Sequence, residues 1–77
     1  MSPYEKELAR QCYAHFKETG LTDFTYQSRN GNDLVHAANA ISSMEESGYV
    51  SDVVDNGFSY SFVIEDSLIH YMEQSES

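Results

Sequence analysis

Tyr49-Val50-Ser51-Asp52-Val53-Val54-Asp55-Asn56-Gly57-Phe58-Ser59-Tyr60-Ser61-Phe62-Val63-Ile64 is the stretch whose reading fixes the fold. From Phe58 onward, large residues (Phe58, Tyr60, Phe62, Ile64) alternate with Ser59, Ser61 and Val63, which is the period-two pattern of a half-buried strand. Asn56-Gly57, directly before it, is the strongest short-range signal for a type I′ hairpin, whose two central residues both take positive φ. Closure on those two residues sets Asp55 opposite Phe58, Val53 opposite Tyr60, Ser51 opposite Phe62 and Tyr49 opposite Ile64. That register lines the aromatic face up with Val53 and Tyr49.

Upstream of the hairpin the hydrophobic period is helical. Asn32 is expected as an N-cap, with Asp33 well placed on the helix dipole, and Leu34, Ala37, Ala38, Ile41, Met44 and Glu45 trace an inner edge. Gly48 is the stop signal, so this helix is predicted from Asp33 to Ser47. An earlier helix starts on Ser2-Pro3-Tyr4-Glu5, a capping box with proline at the first helical position. Tyr4, Leu8, Cys12 and Phe16 then recur every four residues, and Gly20 suits a left-handed cap after Thr19. Between the helices, residues 21–31 read equally as a short strand, with Phe24 and Tyr26 alternating, or as a short helix capped by Thr22 or Asp23. After the hairpin, Asp66 or Ser67 is expected to cap a short helix carrying Leu68, Ile69, Tyr71 and Met72, with residues 73–77 frayed. The expected class is α+β, with two main helices, a two-stranded β-hairpin and a short terminal helix, in one domain over residues 1–77.

This order of elements resembles the winged helix, a variant of the helix-turn-helix fold. The resemblance rests on Leu21-Thr22, Gly31 at the turn, and Met44-Glu45-Glu46-Ser47-Gly48-Tyr49-Val50 closing the recognition helix. It implies a wing around Asn56-Gly57 and an outward recognition-helix surface of Asp33, His36, Asn39 and Ser43. Of those four, only Asn39 is a good reader of base edges, and the wing carries Asp52 and Asp55 where a cation would meet phosphate.

Charge points the same way. Over residues 1–29, Lys6, Arg10, Lys17 and Arg29 balance Glu5, Glu7, Glu18 and Asp23, so the net charge of −9 belongs entirely to residues 30–77. There nine acids stand without one lysine or arginine, which disfavours DNA, RNA and anionic membranes as partners. The expected function is therefore a non-catalytic, acidic protein-protein interaction or regulatory module, as a homodimer or as a subunit of a larger assembly. Glu45, Glu46, Asp52, Asp55, Glu65 and Asp66 would steer a partner with a basic surface. Alternatives are a phage-type DNA mimic that inhibits a nucleic-acid-binding protein, and a DNA-binding transcriptional regulator.

The sequence carries no strong catalytic motif, and no cofactor is expected. Cys12 and His15 have zinc-ligand spacing without a second pair, so a packed thiol beside a surface histidine is the expected reading, with no metal. Asp52 to Glu65 is superficially similar to a calcium loop, but Val54 and Val63 fill its third and twelfth positions, so two ligand oxygens are missing. A lone cysteine and the absence of a leader-like or membrane-spanning apolar run fit a cytoplasmic protein. The six tyrosines divide between capping a small core and forming an interface.

Overall fold

The structure, a computed structural model, describes residues 1–76; Ser77, part of the segment expected to fray, lies outside the described residues. Ser2 opens helix α1 (Pro3–Thr19). Its hydroxyl accepts from the Glu5 amide and donates to the Glu5 carboxylate, each at 3.2 Å, so Ser2 is the N-cap as the sequence signals, with the Glu5 side chain on the Ser2 hydroxyl and not on its backbone N–H. Gly20, at φ 72°, ends the helix and donates its N–H to the Phe16 carbonyl at 2.8 Å. Leu8, Ala9 and Cys12 form the buried stripe.

The ambiguous segment is a strand, β1 (Asp23–Gln27). Exposure alternates from Leu21 to Arg29, with Phe24 and Tyr26 turned toward the core and Asp23, Thr25 and Gln27 exposed. Helix α2 (Gly31–Glu46) begins two residues earlier than predicted, because Asn30 and not Asn32 is its cap. Asn30 is extended (φ −92°, ψ 118°), and its Oδ1 accepts from the amides of Asn32 (2.9 Å) and Asp33 (3.4 Å). Ala37, Ala40, Ile41 and Met44 are buried, whereas Glu45 is exposed and not on the inner edge. At the far end Gly48 (φ 81°) donates to Glu45 and Tyr49 donates to Met44, so the last carbonyls are satisfied in a Schellman arrangement.

Strands β2 (Val50–Asp55) and β3 (Ser59–Ile64) form the hairpin, but the sheet has three strands, not two, in the order β1-β3-β2 with both pairings antiparallel. The hairpin register also differs from the sequence expectation. Asp55 pairs with Tyr60 and Val54 with Ser61, and after a break Ser51 pairs with Val63 and Val50 with Ile64. The central turn residues are Gly57 and Phe58, bracketed by the 2.9 Å bond from Asn56 N–H to the Ser59 carbonyl. Positive φ at Gly57 (93°) and not at Phe58 is the pattern of a type II′ turn. Two local features accompany this register, one at the turn and one that takes back part of the shift. The Asp55 carboxylate accepts the Gly57 amide at 2.8 Å, and a β-bulge at Asp52-Val53 absorbs an extra residue opposite Phe62. Asp52 holds φ 53°, which aspartate tolerates better than most residues.

Helix α3 (Asp66–Glu76) keeps its helical backbone through residues 73–76. Neither Asp66 nor Ser67 caps it: Asp66 is already helical, Leu68 N–H bonds the Glu65 carbonyl, and the Ser67 hydroxyl is donated to the Gly48 carbonyl. The core joins Leu8, Ala9 and Cys12 of α1 with Ala37, Ala40, Ile41 and Met44 of α2. Val50, Phe62 and Ile64 of the sheet and Leu68 and Met72 of α3 complete it. The opposite sheet face carries Thr25, Ser61 and the exposed Val54. No helix among the described residues is long and apolar enough to cross a membrane.

Candidate functional site

Two backbone corners meet at the end of the molecule where α2 stops and α3 starts. The Glu65 amide donates to the Tyr49 carbonyl at 3.0 Å, and Ser67 bonds the carbonyl of Gly48. These links place Glu45 and Glu46, in the last turn of α2, at the same end as Glu65 and Asp66. Glu45, Glu46 and Asp66 are exposed; Glu65 is half-buried and accepts from the Ser51 hydroxyl. No basic residue lies in the last turn of α2, so two carboxylates face the negative end of the helix dipole. Among the described residues the one ion pair is Glu7–Arg10 at 2.9 Å, so none of these four acids is ion-paired.

The six acids expected to act together divide. Asp52 stands on the bulge in the middle of β2, and Asp55 lies at the hairpin end of that strand with its carboxylate on the Gly57 amide. The sequence had no means of separating them, because the helix-strand corner that gathers the other four is made by long-range hydrogen bonds.

On the outward side of α2, Asp33, His36 and Asn39 are exposed, while Ser43 is half-buried and departs from the expected surface. The start of this helix is tied down. The His36 ring lies 5.6 Å from that of Tyr4, whose hydroxyl contacts the Tyr26 hydroxyl at 3.2 Å and the Asp33 carbonyl at 3.3 Å. Desolvation first, then the Tyr26 hydrogen bond, pushes the Tyr4 phenol up to about 12. All six tyrosines are half-buried around the core, which fits the capping role.

Phe58 is placed differently from its sequence reading. Its phase with Tyr60 and Phe62 predicts the half-buried aromatic face, yet at 78 % exposure it is the most open of the large hydrophobic residues, because the II′ turn carries it past the sheet. It borders a recess of about 700 Å³ with Gln27, Ser28, Arg29 and Ser59. Its position directly after Asn56-Gly57 was the available signal, masked by that phase.

Cys12 is buried in the core, and desolvation pushes its thiol up to about 12, far from the range of a working nucleophile. His15 is not a surface histidine. Its ring meets Phe24 edge-on at 5.3 Å, and its buried Nε2 has no hydrogen-bond partner among the described residues. No group of three or more His, Cys, Asp or Glu side chains among the described residues is arranged to hold a metal ion.

The chain matches no protein-family model, no curated protein and no solved structure.

Proposed function

We propose that this chain is a non-catalytic, acidic protein-interaction module on a winged-helix-like scaffold, and that its acid-rich corner docks a basic protein partner. The observation that carries this reading is the convergence of Glu45, Glu46, Glu65 and Asp66 at one end, none of them ion-paired among the described residues. Glu45 and Glu46, at the negative end of the α2 dipole, destabilise the free protein by roughly 0.3–1 kcal/mol each, whereas Asp66 lies at the favourable positive end of α3. A cationic partner turns that repulsion into attraction and speeds encounter through long-range steering. On the winged-helix analogy α2 would be the recognition helix and the β2–β3 hairpin the wing, with Asp33, Asp52 and Asp55 on the surfaces that would face phosphate. This charge favours a protein target over DNA.

Pull-down with mass-spectrometric identification tests the reading, using the wild type beside a Glu45→Gln/Glu46→Gln/Asp66→Asn variant. A basic protein held by the wild type at low salt, released at high salt and lost by the variant is the expected outcome. Equal capture by both proteins would sink the proposal. Adding duplex DNA distinguishes the DNA-mimic alternative, since only a partner that uses its nucleic-acid site would be displaced.

A further inference from the structure

The two outer edges of the sheet are built differently. On β2 the bulge at Asp52-Val53 breaks the ladder, and Asp52 and Asp55 add charge, both of which discourage a further strand from pairing there. On β1 the run Asp23-Phe24-Thr25-Tyr26-Gln27 is an edge with no proline, lysine or bulge. The pattern of hydrogen bonds fixes which of its backbone groups are free. Ile64 N–H bonds the Thr22 carbonyl and Ser28 N–H bonds the Phe58 carbonyl, so the even-numbered residues face β3. Asp23, Thr25 and Gln27 therefore turn their N–H and C=O groups outward, and among the described residues these have no partner.

We propose that this edge pairs with the same edge of a second copy of the chain, antiparallel about a two-fold axis at Thr25. Thr25 then exchanges both backbone hydrogen bonds with Thr25 of the second copy, and Asp23 pairs with Gln27 of the second copy in the same phase. Every outward group of β1 is satisfied by this one register.

The side chains agree with it. Leu21, Asp23, Thr25, Gln27 and Arg29 are all exposed at alternate positions. In the paired arrangement Arg29 lies across from Leu21 of the second copy and diagonal to its Asp23, within reach of a long side chain. Arg29 has no carboxylate partner among the described residues, and Leu21 is one of the few large apolar side chains left exposed. The edge also belongs to residues 1–29, the part of the chain with no net charge, so two copies meet where their repulsion is least. One five-residue edge is small against the roughly 1,200 Å² of a stable interface, and the dimer is accordingly concentration-dependent. This inference does not depend on the acidic corner, which lies on other elements.

Sedimentation velocity over a concentration series reaching about 1 mM reads the dimer directly. Thr25→Pro deletes an outward N–H that an edge strand can lose without unfolding, and it raises the dissociation constant by about tenfold or more while circular dichroism stays native. If that variant unfolds, the charge pair decides: Asp23→Arg and Arg29→Asp each weaken the dimer, and the double variant restores it. With a short bis-maleimide cross-linker, Thr25→Cys forms a covalent dimer, because residues facing each other in a hydrogen-bonded antiparallel pair lie about 5.5 Å apart. Val54→Cys, on the other edge, stays monomeric. A wild type that sediments as a monomer throughout, equal cross-linking at both positions, or a double variant that fails to restore association overturns the proposal. A monomeric result leaves the test of the acidic corner unaffected.

Discussion

Cys12 sits on α1 with no exposed surface, and burial raises its thiol from 9.0 to about 12. In the unfolded chain the thiol ionises first, so its contribution to stability is whole below about pH 9 and drains away as pH rises toward 12. At the upper end the loss is roughly 4 kcal/mol. Tyr4, raised from 10.0 to about 12, acts in the same direction at slightly higher pH. Urea midpoints should fall between pH 8 and pH 10.5, and Cys12→Ala should flatten that fall. An equal fall in the variant would remove the thiol as its cause. The apolar stripe of α1 shows in the spacing of Leu8 and Cys12, so the burial of Cys12 could be read from sequence. His15 could not, because its partner Phe24 arrives from a strand whose existence the local pattern left open.

Among the elements, helices announced themselves and strand register did not. Ser2, Gly20 and Gly48 act within a few residues of themselves, and each marks a helix end as its chemistry dictates. Asn30 and Asn32 offer the same side chain two residues apart, and only the backbone path out of β1 selects Asn30 as the cap. The hairpin shows the same competition. Asn56-Gly57 favours one turn, while the Asx contact of Asp55 supports another, one residue along, and the bulge at Asp52 takes back part of the resulting shift. If the left-handed conformation of Asp52 anchors that bulge, Asp52→Val should destabilise the protein by about 1–2 kcal/mol. Asp52→Gly, which accepts φ 53° freely, should be neutral or stabilising by up to about 1 kcal/mol. Chemical denaturation separates the two substitutions; equal losses would show that backbone conformation at this position is not what matters.

For the molecule as a whole, electrostatic self-repulsion is the property most open to simple measurement. A net charge of −9 on 77 residues, with a single ion pair among the described residues, leaves that repulsion mostly uncompensated. Raising salt from about 0.05 M to about 0.5 M should stabilise the fold by about 1 kcal/mol, seen as a rise in Tm of roughly 4–8 °C. Scanning calorimetry reads this directly, and a Tm that does not move would mean that the acids are too far apart to matter. The helices, the presence of a hairpin and the confinement of the charge to residues 30–77 are legible in the chain alone, because caps, hydrophobic period and composition are local properties. Three features needed the folded chain: residues 23–27 complete a three-stranded sheet, Phe58 is open, and four acids share a corner while Asp52 and Asp55 stand apart. The first and third depend on hydrogen bonds between residues far apart in the chain, and the second on a choice between two turns one residue apart; in each, local preference is nearly balanced and the closing of the core breaks the tie.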